Sequence, residues 1–89
     1  MKDYVKRIID EHSQLVQRLD ALDAYVYSNA SDKDDKVEFA NKCIQLAAMR
    51  QYEKALRCRL ENVGILIAED GRYCEVIEGI TESTAKDNE

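Results

Sequence analysis

At 89 residues the chain has room for one small domain, and a domain of that size often gains core by associating with a second copy. Its charged fraction of 35% and net charge of −5 argue against general nucleic-acid binding, which relies on a basic excess to displace counterions. Cys43, Cys58 and Cys74 are widely spaced, form no CxxC pair and have a single histidine for company, so free buried thiols are expected, with no metal and no other cofactor.

The first helix is expected from Lys2 to about Ser28. Val5, Ile8, His12, Leu15, Leu19, Leu22 and Val26 alternate by threes and fours, the spacing of a coiled-coil seam. Asp3–Arg7, Lys6–Asp10 and Arg7–Glu11 are opposite charges four apart and are expected to pair on the outer face. His12 is the one polar member of the seam. It can be a pH-sensitive or ligand-contacting group, but a seam residue hydrogen-bonded to a neighbour is the simpler expectation. The polar start MKDYVKR and the absence of a long apolar run predict neither a secretory leader nor a membrane span.

Residues 28–34, SNASDKD, are turn and cap formers without a large apolar side chain, so they predict a short link in an antiparallel helical hairpin. The second helix, from Asp35 to Val63, organises the whole chain. It holds no Gly or Pro, and Asp35 with Glu38 three residues on reads as a capping box, with Gly64 at the helix end. Phe39, Cys43, Leu46, Met49, Tyr52, Leu56, Leu60 and Val63 form one apolar stripe along it.

The opposite side of that helix carries Val37, Ala40, Ile44, Ala47, Ala48 and Ala55. A helix apolar on two sides is normally covered on two sides, so this face is read as a self-association surface; contact with the C-terminal segment is the alternative. After Gly64 the pattern changes to ILIA, EDG and RYCEVIE, two β-prone runs around an Asp-Gly turn. The expected architecture is all-α: a two-helix hairpin over 1–63, a β-hairpin over 64–80 packed on the helices or on a neighbouring subunit, and a mobile polar tail over 81–89.

Catalytic motifs are missing. The sequence contains no G-x-S-x-G, Gly-rich phosphate loop or H-E-x-x-H, and a non-enzymatic binding role is expected. Arg50, Lys54 and Arg57 make a ridge that reads as an ordinary charge-laced face beside Glu53 and Glu61. Tyr4 with Arg7, and Tyr52 with Arg59, set aromatic rings beside guanidinium groups. That combination suits flat bases and phosphates, and it equally suits a protein–protein contact.

The spacing Tyr4-x-x-Arg7-Ile8-x-x-Glu11-x-x-x-Leu15-x-x-x-Leu19-x-x-Leu22, followed by Gln45-Leu46-x-x-Met49-x-x-Tyr52-x-x-x-Leu56-x-x-Arg59-Leu60, resembles a family of short helical-hairpin proteins of tailed phages and prophages, including crAss-like phages. A looser likeness reaches the helical-hairpin sponges that phages use against CBASS and Thoeris immunity, although the Gly-Tyr-Arg start and Met-Trp pair associated with that group are absent here. The resemblance implies a homo-oligomer in the cytoplasm of an infected bacterial host that traps a cyclic nucleotide between subunits, with Tyr4, Arg7, Tyr52 and Arg59 as ligand contacts. An adaptor or inhibitor that binds a host protein through a helix face or the β-hairpin edge is the alternative, and a structural virion role a third.

Overall fold

The computed structural model describes residues 1–76; residues 77–80, expected to finish the β-hairpin, and 81–89, expected as a tail, lie outside the described residues. Helix α1 spans Asp3–Val26, a 3₁₀ turn covers Asn29–Lys33, and helix α2 spans Lys36–Asn62. Strands β1 (Ile65–Ile67) and β2 (Tyr73–Glu75) follow and pair antiparallel, Leu66 opposite Cys74. The expected architecture of two helices plus a short C-terminal β-hairpin is therefore the observed one.

Local chemistry explains each boundary. At the start of α2, the Asp35 carboxylate accepts the Glu38 N–H at 2.7 Å, which satisfies one of the free donors of the first turn. At its end, Gly64 takes φ 86°, a left-handed conformation that costs other residues more. Gly71 (φ 89°) closes the β-hairpin: its N–H reaches Ala68 O at 2.9 Å, and Ala68 N–H reaches Arg72 O at 2.8 Å. This is a three-residue loop with glycine in the left-handed position.

The link is more ordered than its composition suggests. Ser31 is buried and its hydroxyl reaches the Val26 and Ser28 carbonyl oxygens at 3.1 and 2.9 Å, closing the end of α1. Tyr25, Asp34 and Lys42 lock the turn from outside: Lys42 Nζ lies 2.9 Å from Asp34 Oδ2 and 4.2 Å from the Tyr25 ring centroid. The Asp34 carboxylate holds the Lys42 ammonium above its ordinary pKa.

Val5, Ile8 and Leu15 of α1, Leu56 and Leu60 of α2 and Ile65 of β1 form the core, with Ile9, Met49, Val63, Ile67 and Tyr73 packed around it. It sits where the start of α1, the end of α2 and the β-hairpin converge. The molecule measures 58 × 23 × 15 Å. With a helix about 10–12 Å across, that is a slab two helices wide and little more than one thick.

Four expectations need correction. Tyr52 does not belong to the buried stripe, being 46% exposed, and Phe39 is at its margin at 36%; two successive steps of three, Leu46 to Met49 to Tyr52, turn Tyr52 about 120° away from Leu46 and out of the seam. Glu53 takes the inward position at that level because His12 supplies it with a partner. Two of the three free cysteines, Cys58 and Cys74, are exposed rather than buried. Finally, among the described residues, Asp3–Arg7, Lys6–Asp10 and Arg7–Glu11 do not close to ion-pair distance. On an exposed helix face such pairs gain too little to hold two long side chains in one geometry.

Candidate functional site

The polar heart of the fold is His12. It is 3% exposed, and its two ring nitrogens are both engaged, Nε2 with Glu53 Oε2 at 2.8 Å and Nδ1 with the Tyr73 hydroxyl at 2.7 Å. An ionised carboxylate can only accept, so Nε2–H donates to Glu53; in the neutral ring Nδ1 then accepts from the Tyr73 hydroxyl. Arg57 completes the group by donating to both Glu53 oxygens at 2.9 and 3.0 Å. The Arg57 guanidinium holds the Glu53 carboxyl below its ordinary pKa, with a smaller contribution from His12, while burial pushes the Tyr73 phenol up. Every polar group here has a partner inside the chain, so the cluster binds α1, α2 and β2 together. His12 is thus a satisfied seam residue.

The arginines that the sequence singles out on the two helices fall into two sets. Arg50 pairs with Asp23 at 2.7 Å and Arg57 with Glu53, so the ridge they form with Lys54 is largely neutralised. Arg7 and Arg59 are exposed, and among the described residues neither has a carboxylate within 4.0 Å. Tyr4 (43% exposed) and Tyr52 (46%) stand out to solvent near them.

Helical phase relates these four residues. Tyr52 and Arg59 are seven positions apart and share one face of α2; Tyr4 and Arg7 are three apart on α1. With His12 opposite Glu53 as the register, two antiparallel helices bring Arg59 level with Arg7. The angular steps from the seam put all four on one flank of the slab, the flank opposite Val16, Asp20, Arg50 and Lys54, which line a groove together. Glu11 and Gln45 belong to the same flank by the same count. Tyr4 also borders a separate open groove with Met1, Lys2, Val5, Val63, Ile65 and Glu75. The seam beneath is filled, so a single chain offers a surface here rather than a cavity.

The Sequestin family model matches residues 2–62, which is both helices and their link. The chain belongs to the Sequestin family. The family's name suggests a sequestering function. The Sequestin match ends where α2 ends and so excludes the β-hairpin, Tyr73 included. No curated protein and no solved structure matches the chain.

The remaining predicted residues, Val37, Ile44, Ala47, Ala48 and Ala55, all lie on the exposed side of α2, with Val37 71% and Ile44 67% exposed. Among the described residues nothing covers this face, the β-hairpin packing on the other side of the helix through Ile65. No helix among the described residues is long and apolar enough to cross a membrane, and no group of three metal-ligating side chains occurs among them. Sequence reasoning missed Tyr73 and Glu53. Nothing in their local pattern marks them, because their partner His12 is 61 and 41 positions away.

Proposed function

We propose that this Sequestin-family chain is a phage accessory protein that sequesters a cyclic nucleotide immune signal in the cytoplasm of an infected bacterium, without cleaving it. The observation that carries the reading is the pair of exposed guanidinium groups, Arg7 and Arg59, that lack a carboxylate partner among the described residues and are flanked by half-exposed Tyr4 and Tyr52. Guanidinium groups match phosphate oxygens with paired hydrogen bonds, and aromatic faces accept flat bases. The filled seam favours a site completed by another subunit, Tyr4 and Arg7 of one chain meeting Tyr52 or Arg59 of the next. Val37, Ile44, Ala47, Ala48 and Ala55 would serve as the surface through which copies associate.

The test is a thermal-shift screen of the intact chain against cyclic di- and trinucleotides and cyclic ADP-ribose isomers. A ligand that binds only the folded state stabilises it by about 2.7 kcal/mol at a hundred times its dissociation constant. The bound ligand should be recovered unchanged after the protein is denatured, and the shift should vanish in Arg7→Ala and Arg59→Ala. Absence of any shift across the panel would overturn the nucleotide reading. The adaptor alternative, in which the chain binds a host protein, would then lead. Its support is the exposed outer side of the β-hairpin, where Leu66 is 48% exposed.

A further inference from the structure

The self-association part of the proposed function leaves open how two copies would meet. The exposed side of α2 is not a random scatter of apolar groups. Val37, Ala40, Ile44, Ala47, Gln51, Ala55 and Cys58 follow one another at steps of three and four, a second coiled-coil seam opposite the one that packs on α1. Its two branched apolar members, Val37 and Ile44, lie in the first half of the helix, and the second half offers Gln51, Ala55 and Cys58. The charge is divided in the same way. Residues 32–38 carry four acidic and two basic side chains, whereas residues 50–61 carry four basic and two acidic ones.

We infer that the occupant of this face is a second copy of the same chain, with the two α2 helices antiparallel about a two-fold axis near Ala47 and Ala48. Only that orientation sets the acidic start of one helix beside the basic end of the other, twice over. It also opposes the helix dipoles, where a parallel pair would align like charge with like. It keeps the branched side chains apart along the seam: Val37 lies against Cys58 of the second copy, Ile44 against Gln51 and Ala40 against Ala55. The alanines near the axis let the backbones approach to the short end of the usual 8–10 Å range. Lys36 of each chain comes within side-chain reach of Glu61 of the other. A two-fold of this kind leaves the flank with Arg7 and Arg59 uncovered, on the same side of the pair in both copies.

Cysteine cross-linking of the full chain decides the orientation. In the antiparallel pair the two Cys58 residues are about 30 Å apart, from ten to eleven steps of 1.5 Å on each side of the axis, so the unmodified chain should give no disulfide-linked dimer through them. Val37→Cys should give one on mild oxidation, with position 37 joined to Cys58 of the other copy in peptide mass spectra. Cys58→Ala in that background should abolish it, while Cys43→Ala and Cys74→Ala should not. The required Cα separation, about 4.4–6.8 Å, is met only by residues that face each other directly. A 37-to-37 link, or a Cys58-to-Cys58 link in the unmodified chain, would mean parallel helices and overturn the inference. A dimer of unchanged mass in solution that yields no link through position 37 would overturn it as well, by locating the contact elsewhere. A monomer at all concentrations would remove self-association itself, an outcome separable from the wrong orientation because it is read from mass rather than from the linked peptides.

Discussion

His12 and Tyr73 stand 61 positions apart in the chain and meet at 2.7 Å, ring edge to ring face with an interplanar angle of 86°. The contact ties the β-hairpin, which would be marginal alone, to the middle of α1. Because the same imidazole holds Glu53 through its other nitrogen, a single side chain joins three elements.

Removing the centre of this cluster should therefore cost more than removing its edge. His12→Ala removes one hydrogen bond from Glu53, which keeps Arg57, and one from Tyr73, and it opens a cavity, an expected loss of about 2–4 kcal/mol. Tyr73→Phe deletes one hydrogen bond and should cost about 1–2 kcal/mol. Urea unfolding followed by circular dichroism, at one fixed protein concentration, measures both. Equal and small effects would show that the cluster is not the structural tie described above.

The pH dependence follows from the sign of the Glu53 shift. Arg57 and, less strongly, His12 depress its folded pKa below 4.5, so its contribution is complete above that value. The contribution is lost as the pH falls through the depressed folded value, when the carboxyl takes up a proton and releases Arg57. Thermal midpoints should thus drop more steeply on acidification in the parent chain than in Glu53→Gln, measured below pH 4.5. Identical acid limbs would mean that other carboxylates set the acid response.

Asp35 should behave as an N-cap. Asp35→Ala removes the acceptor of the Glu38 N–H, and the expected cost is about 1 kcal/mol, with Asp35→Ser largely restoring stability. The comparison of the two variants by chemical denaturation separates the cap from a general charge effect.

Ala47→Glu places a carboxylate in the middle of the exposed α2 seam. Within one chain the position is open to solvent, so the fold should change in stability by less than about 0.5 kcal/mol. Across a two-fold axis it would bring two like charges together without partners, and assembly should weaken by several-fold or more in dissociation constant. Sedimentation equilibrium alongside circular dichroism reads the two effects apart. An unchanged oligomer would place the contact on another face.

The local sequence determined the elements and their ends. Asp35 and Gly64 delimit α2, the Asp70–Gly71 turn defines the β-hairpin, and the spacing of Val5, Ile8, Leu15, Leu56 and Leu60 selects the buried side of each helix. These are short-range effects: capping, left-handed glycine and helical periodicity act within a few residues, so the chain states them openly. Only the tertiary structure decided which polar groups meet across the helices. The sequence carries Arg7, Arg50, Arg57 and Arg59 as equivalent cations on helix surfaces, yet Arg50 and Arg57 meet Asp23 and Glu53 while Arg7 and Arg59 remain without carboxylate partners among the described residues. Arg57 and Glu53 pair locally, four positions apart on α2, but the Arg50–Asp23 pair rests on the register between α1 and α2, a long-range relation set by core packing. That same register turned Glu53 inward to His12, left Tyr52 facing solvent, and placed the four candidate ligand contacts on one flank.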